Sequence, residues 1–417
     1  GERDRWNIYL DGLKVYTTVD YRMQKNAEEA VKEHMIRLQK EFFHQNTPER
    51  NSTAPFLELN PEETNRIMER AMKNSERWRI MKANGKSDKE IRASFTEKTE
   101  MTVFDWNSET EEKDTIMTPL DSIRYYKTFL RAAMMSMEPQ TGHVKAWVGG
   151  LNYKHFQYDN VIQGARQAGS TFKPFVYAAA IDQLRLSPCD SLPDSQYCIE
   201  AGKHGNPEPW CPKNADGKFS GSMYTLKRAL ANSVNSVTAQ LIDRVGPKPV
   251  VAIAKDLGIK GEILEVPSIA LGTPDLNVYE MVGAYGTFVN QGVFVKPVMV
   301  TRIEDKNGTV LYEYVPETKD VLSKEVAYAM VNLMEGVTQG GSGTRLRHSS
   351  NIDQTVYKEI ITGYPYEFTN PIAGKTGTTQ NQSDGWFMGM VPNLVTGVWV
   401  GGEDRATHFK TITYGQG

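Results

Sequence analysis

Ser170 and Lys173 stand three residues apart in "QAGSTFKPF". A helix starting there puts the lysine one turn beyond the serine, on the same face. Pro174 then falls in the first turn, where a missing N–H costs little. A desolvated lysine near a second cation sheds its proton readily and can take one from a serine hydroxyl. The same stretch also describes an ordinary serine cap followed by a surface lysine. Two further groups bear on the choice. "LANSVNSV" sets Ser233 and Asn235 two residues apart in a tight segment between helical stretches. "AGKTGTTQN" carries Lys375, Thr376, Gly377 and Thr378, a strand lysine followed by small hydroxyl residues. Gly377 there would let a substrate backbone lie close alongside. Taken singly, the first group also fits helix capping and the second a plain strand. A phosphate loop is set aside, because its first glycine would stand at Thr369 and no helical pattern follows.

The elements that position these groups are legible in outline. "AAMMSM" and "HVKAWVGG" predict two strands joined by the turn "EPQTG". A helix follows from Ser170, then a Gly/Pro/Cys-rich loop region, then helical "TLKRALANSVNSVTAQLIDRV", "VYEMVGAYGTFVNQG" and "KEVAYAMVNLMEGVTQG". Near the end "AGKTGTT", "GWFMGMV" and "VTGVWVGG" predict three strands, the last two joined around "PNL". Strands at both ends enclosing a helical middle imply an α+β fold: a central antiparallel sheet, its first and last segments paired, flanked by helices and an all-helical subdomain. Upstream, "LKVYTTVDYRMQKNAEEAV" passes from strand to helix, with Thr18 or Asp20 as the cap. From about residue 23 to 112 the chain is polar and heavily charged, as a solvated helical insertion would be. Within it, "EETNRIMERAMKNSERWRIMKANG" ends on a C-cap glycine. This gives a linker region over 1–120 and a main domain over 121–417.

Composition narrows the class. A net charge of −3 and a pI near 6.2 argue against nucleic acid as a partner. No apolar run is long enough to span a bilayer. The opening "GERDRW" has neither an initiator Met nor a signal-peptide pattern, as expected of a piece of a longer protein. Cys198 and Cys211 bracket a Gly/Pro/Asn-rich turn, a spacing that suits a bridged hairpin loop in an oxidising compartment. Cys189 is then left as a free, buried thiol. The histidines show no ligand-like spacing, so neither metal nor other cofactor is expected.

Ser-x-x-Lys, Ser-x-Asn and Lys-Thr-Gly, in that order, are the signature of the penicillin-recognising acyl-serine enzymes. The chain resembles the transpeptidase domain of a class A (bifunctional) penicillin-binding protein over nearly its whole length. The resemblance is carried by "LKVYTTVDYRMQ", "SMEPQTGHVKAWVGG", "WCPKNADGKFSGSMYTLKRALANSVN", "IALGTPDLNVYEMVGAYGTFVNQG" and "KTGTTQNQSDGWFMGMVPNLVTGVWVGG". The glycosyltransferase half and the final covering helix of that family are not in the sequence. The resemblance implies that Ser170 attacks the penultimate D-Ala carbonyl of a D-Ala-D-Ala stem peptide, with Lys173 as base and Ser233 as proton relay. It further implies that Lys375 sets the field, Asn235 binds the substrate amide, and Thr376 and Thr378 bind its carboxylate. The N–H groups of Ser170 and Thr378 would form the oxyanion hole. Implied partners are peptidoglycan stem peptides on the lipid II polymer, β-lactams and cell-wall synthesis proteins. The implied location is extracytoplasmic, with an upstream membrane anchor. A serine β-lactamase shares the three motifs, but "TPDLN" has Thr273 where the deacylating glutamate of a class A β-lactamase would stand. A β-lactam sensor that acylates without turnover is a further alternative.

Overall fold

The computed structural model describes residues 6–47, 49–347, 367–379 and 381–410. The chain opens with β1 (Lys14–Thr17) and α1 (Tyr21–Gln45). Asp20 caps α1 by accepting from the N–H groups of Arg22 and Met23, while the Thr18 hydroxyl donates to the carbonyls of Val144 and Val298. Three short helices follow: α2 (Pro61–Asn74), α3 (Glu76–Ala83) and α4 (Asp88–Ser94). The long helical pattern from Glu62 is broken at Ser75, whose hydroxyl caps α3. A hairpin of β2 (Thr99–Phe104) and β3 (Glu112–Met117) leads into α5 (Pro119–Lys127).

The main sheet begins with β4 (Leu130–Met137) and β5 (Val144–Val148), the hairpin expected from sequence. Short β6 (Arg166–Gln167) precedes α6 (Lys173–Leu184). The loop region carries β7 (Ser191–Pro193) and β8 (Met223–Thr225), followed by α7 (Leu226–Ala231), α8 (Asn235–Val245) and α9 (Pro247–Asp256). Next come β9 (Asp275–Leu276), which pairs with β6, and α10 (Val278–Val289). Strands β10 (Val293–Val295), β11 (Val300–Glu304), β12 (Val310–Glu313) and β13 (Thr318–Asp320) form two small sheets, one of which includes β1. Helix α11 (Lys324–Gly340) leads to β14 (Ala373–Thr378), β15 (Asp384–Val391) and β16 (Leu394–Gly402). The five-stranded antiparallel sheet has the order β14-β15-β16-β4-β5, so the last strand pairs with the first, from Val395–Met137 to Gly402–Leu130.

The two faces of β4 explain the layering. Ala133, Met135 and Met137 point into the main core with α6, α8, α10 and α11. Leu130 and Ala132 alternate to the other face, where Ala27, Val31, Met35, Leu38 and Phe42 of α1 cover them. The expectation of a solvated insertion from 23 onward therefore fails for α1, whose apolar residues recur every three or four positions beneath a charged exterior. Helices α2–α4 fit it better: they are rich in exposed charge and share a small buried cluster of Met72, Trp78, Ile91 and Phe95.

Candidate active site

Helix α6 is apolar nearly throughout, and Phe175 to Ala180 are fully buried. Its sequence favours a position at the centre of the core, and that position fixes Lys173 at its start. The expected serine cap is absent. Gly169–Phe172 is a 3₁₀ turn, no side chain caps α6, and Ser170 lies within the turn. Pro174 does occupy the first turn, as expected.

The turn is held by close backbone packing. Gly169 (φ +54°) donates its N–H to the Gly272 carbonyl at 2.9 Å, and Gly272 (φ +77°) has no room for a side chain. A Cβ on Gly272 would lie 1.8 Å from the Gly169 oxygen, and one on Gly169 2.9 Å from the Thr378 oxygen. Gly377 belongs to the same contact: its Cβ would meet Thr171 Cγ2 at 2.8 Å and the Ala168 oxygen at 2.9 Å. The bare Cα of Gly377 therefore lets β14 pack closely against the serine turn.

Ser233 lies between α7 and α8 with φ +56°, a left-handed conformation uncommon for a residue bearing a Cβ. That kink brings its hydroxyl between two lysines. Lys173 Nζ donates to Ser233 Oγ at 3.1 Å, to the Ser233 carbonyl at 2.5 Å and to Asn235 Oδ1 at 2.6 Å. Lys375 Nζ, from β14, reaches Ser233 Oγ at 3.1 Å and the Thr376 carbonyl at 2.9 Å. Both lysines are fully buried. Among the described residues neither has a carboxylate partner. Burial, and then the charge of Lys375, holds Lys173 well below the usual lysine value. Burial alone brings Lys375 down to about 7. Two charged ammonium groups sharing one hydroxyl in a dry site repel each other, so the arrangement favours at least one neutral amine near neutral pH.

Ser170, Ser233, Asn235, Thr376 and Thr378 all line one cleft of about 1180 Å³. The two lysines form its floor through Ser233. The structure thus brings all the predicted site residues together, with three differences of detail. No hydrogen bond links Ser170 Oγ to Lys173. The Asn235 amide is already engaged by Lys173 and by the Lys213 carbonyl at 2.7 Å, so it anchors the lysine as well as facing the cleft. Thr376 Oγ1 pairs with Ser342 Oγ at 2.6 Å. Ser342 also lines the cleft and was missed from sequence; its only signal is the glycine-rich "GGSG" after α11. Thr273 lines the same cleft, so no glutamate stands at that position.

One wall comes from the cysteine loop. Cys198 and Cys211 form the expected disulfide, with Ile199 and Trp210 exchanging backbone hydrogen bonds across the hairpin. Trp210 and Cys211 line the cleft. Cys189 is an exposed thiol, not a buried one, because it sits in the surface turn between α6 and β7.

Among known proteins, the description "Penicillin binding protein transpeptidase domain" matches residues 132–404, and "Penicillin-binding protein middle domain" matches 51–130. Penicillin-binding protein 1A of Aquifex aeolicus is 35% identical over 274 residues, covering 65% of this chain and 34% of that protein. Penicillin-binding protein 2D of Bacillus subtilis is 32% identical over 280 residues, covering 67% and 38%. The chain thus spans little more than a third of the length of these relatives. Penicillin-binding protein 1A from Haemophilus influenzae shares the fold, with a TM-score of 0.64 at 20% identity over 95% of this chain and 63% of that one. PonA1 from Mycobacterium tuberculosis does so with a TM-score of 0.60 at 21% identity, over 96% and 80%. The order of the three motifs, the sheet that seats the third and the match over residues 132–404 agree: the chain belongs to the penicillin-binding protein transpeptidase family.

Proposed function

We propose that this chain is a D,D-transpeptidase acting on peptidoglycan stem peptides through an acyl-enzyme on Ser170. The observation that carries this reading is the convergence of two buried lysines on Ser233 beneath the cleft that holds Ser170. Neutral Lys173 takes the Ser170 proton as Oγ attacks the penultimate D-Ala carbonyl. The oxyanion faces the N–H groups of Ser170 and Thr378, each worth about 3 kcal/mol in such sites. The proton then passes through Ser233 to the departing D-Ala nitrogen. The amine of a second stem peptide attacks the ester, its proton returns by the same route, and Ser170 is released. Lys375, lowered to about 7, supplies a tunable positive field. Thr376 and Thr378 bind the terminal carboxylate. Asn235 offers its second Nδ2 hydrogen to the substrate carbonyl.

β-Lactams enter as carboxylate-bearing mimics of the same donor; the PonA1 protein of Mycobacterium tuberculosis has been solved in complex with penicillin V. The absence of a carboxylate at Thr273 favours transfer over a β-lactamase's hydrolysis. Residues 121–417 are the transpeptidase unit, with α1 of the preceding region closing the back of its sheet. The site of action is extracytoplasmic, consistent with the Cys198–Cys211 disulfide. No described helix is long and apolar enough to cross a membrane. Intact-mass analysis after incubation with benzylpenicillin tests the reading. Wild-type chain gains one adduct mapped to Ser170, and Ser170→Ala gains none while melting within a few degrees of wild type. Labelling of Ser170→Ala would refute the nucleophile.

A further inference from the structure

Helix α8 carries Asn235 at its first position, yet it starts on Val234, which cannot cap it. Its first N–H groups are nevertheless satisfied. Asn214, in the cysteine-rich loop region, accepts from Asn235 N at 2.9 Å and from Ser236 N at 3.2 Å through Oδ1. The other end of that amide donates to Asp194 Oδ1 at 2.7 Å. The same carboxylate oxygen receives the Ser236 hydroxyl at 2.7 Å, and Oδ2 receives the Ser220 N–H at 2.8 Å. Asp194 is 4% exposed, and among the described residues no cation pairs with it. Burial pushes its carboxyl up, and the hydrogen bonds from Ser220, Ser236 and Asn214 more than offset that, holding it ionised.

A buried carboxylate thus orients one amide, which caps the helix that starts at Asn235, whose own Oδ1 accepts from Lys173 Nζ at 2.6 Å. We infer that Asp194 and Asn214 are positioning residues for acyl transfer: together they fix the helix start that aims Asn235 and, through it, Lys173. This rests on the transpeptidase reading and extends it to two residues outside the three motifs. It also gives the disulfide-closed loop a reason to lie on the cleft, since Asp194 and Asn214 bracket that loop in sequence.

The experiment compares the full chain with Asn214→Ala and Asn214→Asp. Amide exchange reports on the cap, and the rate of acylation by benzylpenicillin reports on the site. Asn214→Ala is expected to lose at least tenfold protection at Asn235 and Ser236 and to acylate at least tenfold more slowly. Asn214→Asp keeps the cap acceptor but sets a carboxylate against Asp194. Two such groups share a single proton only as the pH falls. Its acylation rate relative to wild type should therefore be lowest near pH 8 and recover severalfold toward pH 6. The other charges nearby are Lys213, Asp216 and Lys218 on the same loop, which are exposed, and Lys173 beyond Asn235; dividing by the wild-type rate removes their common contribution. Wild-type acylation in Asn214→Ala, or an Asn214→Asp profile parallel to wild type, overturns the inference and leaves the transpeptidase reading standing. A wild-type chain that never labels at Ser170 overturns both.

Discussion

Helices α2, α3, α4 and α5 each begin on a residue whose own side chain caps them: Asn60, Ser75, Ser87 and Thr118. Helices α6 and α8, which carry Lys173 and Asn235, begin on Phe172 and Val234 and have no such cap. The first set is specified locally, by hydrogen bonds three residues long and by surface ion pairs such as Lys86–Glu90. The second is specified by packing between distant segments: Gly272 against Gly169, Gly377 against Ala168 and Thr171, and Asn214 against Asn235. Local specification tolerates a single change, because each cap contributes little and is independent of its neighbours. Specification by close packing does not, since one added methyl group displaces several backbones at once.

Breaking the packed contact should therefore have the largest effect. Gly272→Ala places a Cβ 1.8 Å from the Gly169 oxygen in a left-handed backbone. The expected result is a stability loss of at least about 2 kcal/mol and a drop in penicillin labelling of a hundredfold or more. A variant that labels and melts like wild type would show that the serine turn does not depend on this contact.

The pair of buried lysines gives an intermediate, pH-graded effect. Both folded values lie below the ordinary lysine value, so between them the unfolded chain binds more protons and stability rises with pH. For Lys375 that window opens at about 7, and the gain disappears as the pH falls through it. Acylation should follow the same direction, slowing on acidification as the Lys173 amine takes up a proton. A rate that rises on acidification would remove Lys173 as the base.

The locally capped region should respond least. Asn60→Ala removes the α2 cap at a cost of about 1 kcal/mol and leaves the acylation rate unchanged. Thermal melting and penicillin labelling of the same sample separate the two effects. A fall in acylation would mean that α2–α5 are coupled to the cleft.

The same contrast explains what could be read from sequence. The three motifs, the β4–β5 hairpin and the closing strands were legible, because each is a short local pattern whose order carries meaning. Helix α1 was legible in principle: Ala27, Val31, Met35, Leu38 and Phe42 keep a helical period, but the surrounding charges hid it. Ser170 as a cap was a reasonable local reading, and it failed because the turn is set by Gly272, about a hundred residues downstream. Nothing near Asn214 in the sequence tells that it caps a helix beginning at Asn235. Contacts of that kind leave no periodicity for a local pattern to reveal.

The interlocked glycines also limit how such a protein can adapt. Gly169, Gly272 and Gly377 admit no larger residue without moving the serine turn, so the centre of the cleft has almost no room for heritable variation. Trp210 and Phe219, on the loop wall, line the same cleft without that constraint. Selection for a different acyl donor, or against an inhibitor, therefore finds its permitted steps on the wall while the centre stays fixed.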